Sequence, residues 1–141
     1  MDTLKYIKFH KDAKITAPKE GDAGYDLYAL SYERNESGAC YVVNTGIGVE
    51  IPSGYVGIIK DRSGQAFVSA ETHAGVIDSS YRGEIKVLIS IRNTNSEPAF
   101  MKYLGKFAQM VIVPYLSLPL EERNFLKETE RGNKGFGSTG A

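Results

Sequence analysis

The chain has 141 residues, and its 17 basic side chains balance 17 acidic ones, so no overall field favours a polyanion such as DNA. This length predicts one domain over residues 1–141, with enough chain to bury a core. A single cysteine excludes an internal disulfide, and no stretch reaches the ~20 apolar residues of a membrane span. Residues 1–6 also lack the apolar run of a signal peptide. We therefore expect an intracellular protein that is cytoplasmic, or nuclear if it is eukaryotic or a viral protein in its host. We expect it to bind a small molecule and neither nucleic acid nor a membrane.

Short strands separated by glycine, asparagine and proline dominate the pattern along the chain. Apolar side chains alternate with period two, or form short apolar runs, in four segments: 47–51, 56–58, 86–91 and 107–113. Helical periodicity is weak, and we expect only short helical turns, around 65–69 and 120–123. A turn is predicted at 93–96. The pattern predicts an all-β barrel or a double-sheet roll.

Two glycine-containing segments could face an anion. Residues 23–27 read Ala-Gly-Tyr-Asp-Leu and carry Asp26, which on its own is most often part of a turn. Residues 62–64 read Arg-Ser-Gly and follow a predicted strand. If a helix begins there, Arg62, the Ser63 hydroxyl and free N–H groups would form an anion site. Ser63 could equally serve only as the N-cap.

The segment 75–84 predicts a hairpin with Asp78, Tyr81 and Arg82 at its tip. A carboxylate is ionised near neutral pH, so Asp78 could orient or deprotonate a water molecule. The alternative is ordinary turn chemistry, with Asp78 hydrogen-bonded to its own backbone. Gln109 lies inside the apolar run 107–113, where a buried amide needs partners, so we expect it to line a site.

The C-terminal part predicts an arm at 114–130 and a glycine-rich lid at 131–141. At ~3.3 Å per residue, an extended arm could reach another subunit. The lid holds four glycines with Arg131 and Phe136, and ordering it costs roughly 1–2 kcal/mol per residue, which a bound nucleotide could offset. The alternative is a frayed terminus. A match to G-x-G-x-x-G is accidental because no strand precedes it and no helix follows, and the Walker A lysine is missing.

A protein-held metal ion is not predicted. His10, His73 and Cys40 lie far apart without ligand spacing, so a zinc site and the zinc-deaminase signature are both missing. A triphosphate ligand would bring magnesium, which binds mainly through phosphate oxygens and few carboxylates.

Five segments, taken in order, resemble the motifs of the homotrimeric all-β dUTP pyrophosphatases (dUTPases): 23–27, 62–64, 75–84, 105–109 and 131–140. The resemblance extends from Gly21 to Gly140. It implies a jelly-roll-like β-barrel with a flexible C-terminal arm, assembled as a homotrimer with active sites shared between subunits. It also implies Mg²⁺-assisted hydrolysis of dUTP to dUMP and pyrophosphate, which cleans the nucleotide pool and supplies dUMP for thymidylate synthesis.

The same resemblance implies roles for the reacting centre and the nucleoside. Asp78 would activate the water that attacks the α-phosphorus. Tyr81 would pack under the deoxyribose and leave no room for a 2′-hydroxyl. The backbone of 72–77 would read the uracil edge and exclude a C5 methyl group, through Thr72, Gly75, Val76 and Ile77.

The resemblance also implies which residues surround the phosphates. The phosphates would be held by Arg62, Ser63, Gly64 and Gln109. Asp26 would contact magnesium through water. In the lid, Arg131 would clamp the γ-phosphate, Phe136 would stack on uracil, and three small residues would close over the substrate: Gly137, Ser138 and Thr139.

One position and one short segment depart from the pattern that the family usually shows. Asp61 replaces a proline before Arg62 and brings a negative charge close to the expected phosphate site. Residues 104–107, Leu-Gly-Lys-Phe, replace Gly-Asp-Arg-Ile, so Lys106 keeps a charge without the bidentate fork of arginine.

Two other functions remain open. A dCTP deaminase shares this architecture but uses a glutamate at the base, and the 75–78 context with Tyr81 resembles the hydrolase instead. A nucleotide-sensing or protein-binding module would not need a positioned base such as Asp78.

Overall fold

The computed structural model describes residues 3–38, 40–64, 70–92, 104–137 and 140. Within these residues the chain forms eleven β-strands: β1 Lys5–Lys8, β2 Ile15–Thr16, β3 Gly24–Tyr28, β4 Ser31–Arg34, β5 Tyr41–Asn44, β6 Ile47–Glu50, β7 Tyr55–Asp61, β8 Ala70–His73, β9 Val76–Ile77, β10 Lys86–Ile91 and β11 Lys106–Pro114. The all-β expectation is confirmed, and a closed barrel stays a prediction. No helix in the described ranges is long and apolar enough to span a bilayer.

The strands form three antiparallel sheets. The five-stranded sheet has the order β2-β3-β11-β7-β9, the four-stranded sheet β4-β5-β10-β8, and β1 pairs with β6 alone. In the largest sheet, β11 lies between β3 and β7 and is the longest strand. It ends at Pro114, as predicted, because proline cannot donate to a ladder. This arrangement brings three of the predicted motifs onto neighbouring strands.

The core lies between the sheets, and Leu27, Ile85, Phe107 and Met110 are among its fully buried side chains. Burying each stabilises the fold by about 1.5–3 kcal/mol. Alternation in β10 is confirmed, since Val87 and Ile89 are buried. In β7 the period is also correct, but the buried face carries Gly57 and Ile59, whereas Val56 and Ile58 are only partly buried.

The hairpin predicted over 75–84 does not form. Val76 and Ile77 pair with β7, while β10 pairs with β5 and β8, so the two arms find partners in different sheets. The connection turns at Asp78, whose carbonyl accepts a hydrogen bond from the backbone N–H of Tyr81 at 3.1 Å. The predicted tip is therefore a turn between sheets.

The arm has no regular structure from residue 115 to residue 130, so the helical turn predicted at 120–123 is wrong. A short helical turn is not stable without tertiary packing, and these residues are all exposed. Apolar side chains nevertheless recur along it and are largely exposed: Leu116, Leu118, Leu120, Phe125 and Leu126. The helical turn predicted at 65–69 and the turn at 93–96 lie outside the described residues.

Candidate active site

Three of the predicted motifs meet at one cleft of about 460 Å³. The register explains the meeting, because Gln109 of β11 is opposite Asp26 of β3, and Ala108 is opposite Asp61 of β7, which leads directly into Arg62. The cleft lining accordingly includes Gly24, Asp26, Arg62, Ser63, Lys106 and Gln109. The predicted association of motif residues 23–27, 62–64 and 105–109 thus has a structural counterpart.

A β-bulge in β11 sets the side-chain directions. In a regular strand Lys106 and Gln109, three residues apart, would point to opposite faces of the sheet. The register shifts between Lys106 and Ala108, and both Phe107 and Ala108 are buried. The extra residue lets Lys106 and Gln109 line the same cleft.

Gln109 lies across Gly24 and is fixed by a hydrogen bond. Its Nε2 donates to the Asp61 backbone carbonyl at 3.0 Å, so the half-buried amide has a hydrogen-bond partner, as we expected from the sequence. A Cβ at position 24 would lie 3.1 Å from the Gln109 Cβ and overlap the amide oxygen. Glycine at 24 therefore makes room for the glutamine.

Asp26 organises two cations at the cleft. Its Oδ2 lies 2.9 Å from Lys106 Nζ, and its Oδ1 lies 3.3 Å from Arg62 Nε. The hydrogen bond to Asp26, with the charge of that carboxylate, raises the pKa of Lys106 above its usual 10.5. Both cations stay partly exposed, at 37% and 39% of their side-chain surface, and can meet an anion from solvent.

The acidic groups around the cleft fit a magnesium ion that arrives with phosphate. Among the described residues, no group of three or more His, Cys, Asp or Glu side chains could hold a metal ion. The Asp26 carboxylate is 24% exposed, and each oxygen has a second lone pair beside its cation contact. Two neighbouring cations disfavour direct binding of a dication, so a contact through water suits Asp26 better.

Asp78 and Tyr81 do not line this cleft in the described part of the same chain. Both are exposed, and the Tyr81 hydroxyl donates to the Glu84 carbonyl at 2.7 Å. Arg82, which the sequence placed beside them, donates to the Ser79 carbonyl at 2.7 Å. The motif is thus ordered by its own backbone contacts.

The 72–77 segment joins the two larger sheets. The backbone N–H of Thr72 donates to Asp61 Oδ1 at 2.8 Å, and the Gly75 carbonyl accepts from Ile59 N–H at 2.7 Å. A Cβ at Gly75 would lie 2.7 Å from the Ile59 carbonyl oxygen, so only glycine allows this approach. Val76 is exposed and Ile77 is buried.

The described part of the lid, residues 131–137, also lies outside the cleft lining. Arg131 Nε donates to the Lys134 carbonyl at 2.8 Å, and Phe136 is fully exposed. Gly137 adopts φ 86°, a left-handed conformation that favours glycine. Ser138 and Thr139 lie outside the described residues.

Of the charged residues that line the cleft, sequence reasoning missed two, Lys19 and Asp22. They flank a turn in which the backbone N–H of Asp22 donates to the Lys19 carbonyl at 2.9 Å. Their position directly before residues 23–27 was the available signal. Gly64 follows Ser63 at the point where the backbone becomes helical, but it is not among the lining residues described.

Residues 11–140 match the dUTPase family model. The chain belongs to the dUTPase family. A deoxyuridine 5′-triphosphate nucleotidohydrolase of Trichodesmium erythraeum is 40% identical, covering 99% of this chain and 94% of the relative. A Staphylococcus bacteriophage 80alpha dUTPase structure with dUpNHpp is 28% identical with a TM-score of 0.82 and full coverage of both chains.

A second similar solved structure is described with a magnesium ion. A variant dUTPase from phage phi11 of S. aureus, described with a structural Mg(II) ion, is 25% identical with a TM-score of 0.74. It covers 90% of this dUTPase chain and 100% of its own.

Proposed function

We propose that this protein hydrolyses dUTP to dUMP and pyrophosphate within the intracellular nucleotide pool, cleaning that pool and supplying dUMP for thymidylate synthesis. Family membership supports the reaction class. The observation that carries the proposal is the cleft in which Asp26 holds Arg62 and Lys106 beside Gln109. Partly exposed cations held in fixed positions suit a polyphosphate.

The phosphate chain occupies this cleft in the proposed complex. Arg62, Ser63, Gly64 and Gln109 contact its oxygens, and Lys106 adds a second positive charge at the same cleft. Arg131 from the lid contacts the γ-phosphate. Because these donors are positioned before the reaction, they stabilise developing charge without reorganising.

Asp78 is the proposed base. Its carboxylate takes a proton from water as the water oxygen forms a bond to the α-phosphorus. The bond from the α-phosphorus to the bridging oxygen breaks, and pyrophosphate leaves with the electron pair. No covalent enzyme intermediate is needed, and catalysis rests on positioning and charge stabilisation.

Magnesium would accompany the triphosphate, with Asp26 contacting its hydration shell. Bound there, the ion would neutralise phosphate charge and help to orient the leaving pyrophosphate. Arg62 and Lys106 keep Asp26 oriented toward the cleft.

The nucleoside is read by a different part of the chain. The backbone of 72–77 contacts the uracil edge, and Tyr81 packs under the deoxyribose. Thymine differs from uracil by one methyl group, and one methyl group changes the free energy of binding by only about 1–3 kcal/mol. Rejection of thymine therefore requires a segment that leaves no space for that methyl group. The close approach of Gly75 to β7 supports such rigidity. Phe136 stacks on the base, and residues 137–139 close over the substrate.

A homotrimer with shared sites would bring these parts together. Asp78 and Tyr81 do not line the cleft of their own chain in the described residues. The exposed leucines of the 114–130 arm also suit burial against a neighbour. In the proposed trimer, Asp78 of one subunit serves the cleft of another, and a lid completes the site.

The test is product analysis with two substrates. The protein is incubated with dUTP and with dCTP, with and without a magnesium chelator, while pyrophosphate and ammonia are measured. We expect magnesium-dependent pyrophosphate release from dUTP and no ammonia. Ammonia from dCTP would instead establish the deaminase, and tight dUTP binding without turnover would establish the sensing module.

A further inference from the structure

The Asp61 carboxylate connects strands from two different sheets. Asp61 ends β7 of the five-stranded sheet, whereas Thr72 lies in β8, at the edge of the four-stranded sheet. The Thr72 N–H donates to Asp61 Oδ1 at 2.8 Å. An edge strand presents backbone donors outside its ladder, and this carboxylate satisfies one of them. The contact fixes the first residue of the 72–77 segment.

The next contacts along the segment also lead to β7. The Gly75 carbonyl accepts from Ile59 N–H at 2.7 Å, and Val76 pairs with Ile58. Between the two hydrogen bonds, Ala74 adopts φ 53°, a left-handed conformation that is uncommon outside glycine. Such a conformation persists where the surrounding structure determines it. Asp61 and Ile59 thus fix the chain on either side of Ala74 through their hydrogen bonds to Thr72 and Gly75.

The Asp61 side chain lies on the opposite face of the sheet from Gln109, because Asp61 is opposite the buried Ala108 and successive side chains of a strand point to opposite faces. Arg62 lines the cleft, but Asp61 is not among the described lining residues. The Asp61 backbone carbonyl nevertheless accepts the Gln109 amide at 3.0 Å. One residue therefore fixes a phosphate-side group through its backbone and the 72–77 segment through its carboxylate.

We propose that Asp61 is a positioning residue that fixes the 72–77 segment and thereby sets base selectivity. The consequence for selectivity rests on the proposed function, in which this segment reads uracil. A proline at this position would have no side-chain acceptor for the Thr72 N–H. The Asp61 carboxylate, although next to Arg62 in the sequence, thus contacts the base-reading segment and is not directed against a bound phosphate.

Three variants test the role: Asp61→Ala removes the acceptor, Asp61→Asn keeps an oxygen, and Asp12→Ala is the control. Asp12 is an exposed aspartate outside the described cleft lining and outside 72–77. Amide hydrogen exchange of 70–77 is measured on the intact protein. The kcat/KM values for dUTP, dCTP and dTTP are compared, together with inhibition by pyrophosphate.

We expect Asp61→Ala to accelerate exchange at Thr72 and to lower the preference for dUTP over dCTP and dTTP by about tenfold or more, the effect of losing a charged hydrogen bond. Pyrophosphate inhibition should stay within about twofold because the cation cleft is retained. Asp61→Asn keeps a neutral acceptor and should show a smaller loss than Asp61→Ala. Asp12→Ala should resemble the parent protein.

Unchanged exchange and selectivity in Asp61→Ala would overturn the proposal. An equal loss of pyrophosphate inhibition and dUTP turnover, with selectivity retained, would also overturn it, since it would reveal general destabilisation. If the parent protein fails to hydrolyse dUTP, the proposed function fails separately. The exchange data then decide the positioning role without reference to turnover.

Discussion

Lys106 Nζ lies 2.9 Å from Asp26 Oδ2, and the same carboxylate contacts Arg62 through its other oxygen. Lys106 replaces the arginine that the resembled pattern carries, yet it retains an ion pair at the cleft. Asp26 thus has two partners whose charges sum to more than its own. The excess positive charge is available to phosphate.

Replacing Lys106 should weaken substrate binding selectively. We expect Lys106→Met to raise KM for dUTP by about tenfold, because one charge-assisted contact is lost, with little change in thermal midpoint. Lys106→Arg should keep most of the affinity. Lys86→Met, at an exposed position of the otherwise buried or partly buried strand β10, is the matched control, and the variants are measured by steady-state pyrophosphate release. An unchanged KM in Lys106→Met would remove Lys106 from the phosphate site.

The pH dependence of that effect has a defined sign. The pKa of Lys106 is raised above 10.5 by Asp26, so its interaction is fully present below that value and is lost as the pH rises through the raised pKa. The ratio of KM values for Lys106→Met and the parent should therefore stay constant between about pH 7 and 9. A ratio that falls across this interval would contradict the assignment.

Asp78→Asn should separate binding from turnover. We expect kcat to fall by about 10²–10⁴-fold, the usual contribution of a positioned base, while the imido analogue dUpNHpp binds with similar affinity. Turnover is followed by pyrophosphate release and binding by calorimetry. Asp12→Asn, at another exposed aspartate, controls for lost surface charge. A fully active Asp78→Asn enzyme would exclude Asp78 as the base.

Mixing two inactive variants should restore part of the activity. If the Arg62 cleft and Asp78 come from different subunits, random trimers of Arg62→Ala and Asp78→Asn contain intact sites. About a quarter of the sites would be intact in an equal mixture, because each of two independent positions is intact half the time. The mixture is refolded together and assayed. No recovery from properly assembled mixed trimers would place both residues of one site on one chain.

Deleting 131–141 should reduce turnover without unfolding the protein. The described lid residues are mostly exposed and make local hydrogen bonds, such as Arg131 Nε to the Lys134 carbonyl. We expect kcat/KM to drop by more than about tenfold and the thermal midpoint to move by less than about 2 °C. Calorimetry and steady-state assays measure the two effects. A large loss of stability would mean that the lid is a structural strap.

Polar substitutions in the arm should disrupt assembly. Leu116, Leu118 and Leu120 are largely exposed in the single chain, so changing all three to serine costs that chain little. If they pack against a neighbour, the triple variant should dissociate, as light scattering would detect. Glu121→Ser with Glu122→Ser controls for altered arm composition. A trimer of unchanged stability would exclude the arm from the interface.

Local patterns predicted the all-β class and strand β11, because period-two alternation and apolar runs are local signals. The meeting of three motifs was implied only by their resemblance to the family. The sequence did not reveal that Asp61 contacts Thr72, since that contact joins two sheets and depends on tertiary placement. It predicted a hairpin at 75–84 because turn residues are local, whereas the competing pairings with β7, β5 and β8 are not. Lys19 was missed because an exposed lysine in a turn usually only meets solvent.

The bulge between Lys106 and Ala108 makes strand length, as well as residue identity, a condition for function. Inserting one residue between Lys106 and Gln109 would turn Lys106 out of the cleft, although every charged group would remain in the chain. Removing Phe107 or Ala108 would instead delete the bulge and leave Lys106 and Gln109 two residues apart on one face of a regular strand. A conservative exchange at either position would preserve the count. Divergence in this part of the chain should therefore tolerate changes of side chain more readily than single-residue insertions.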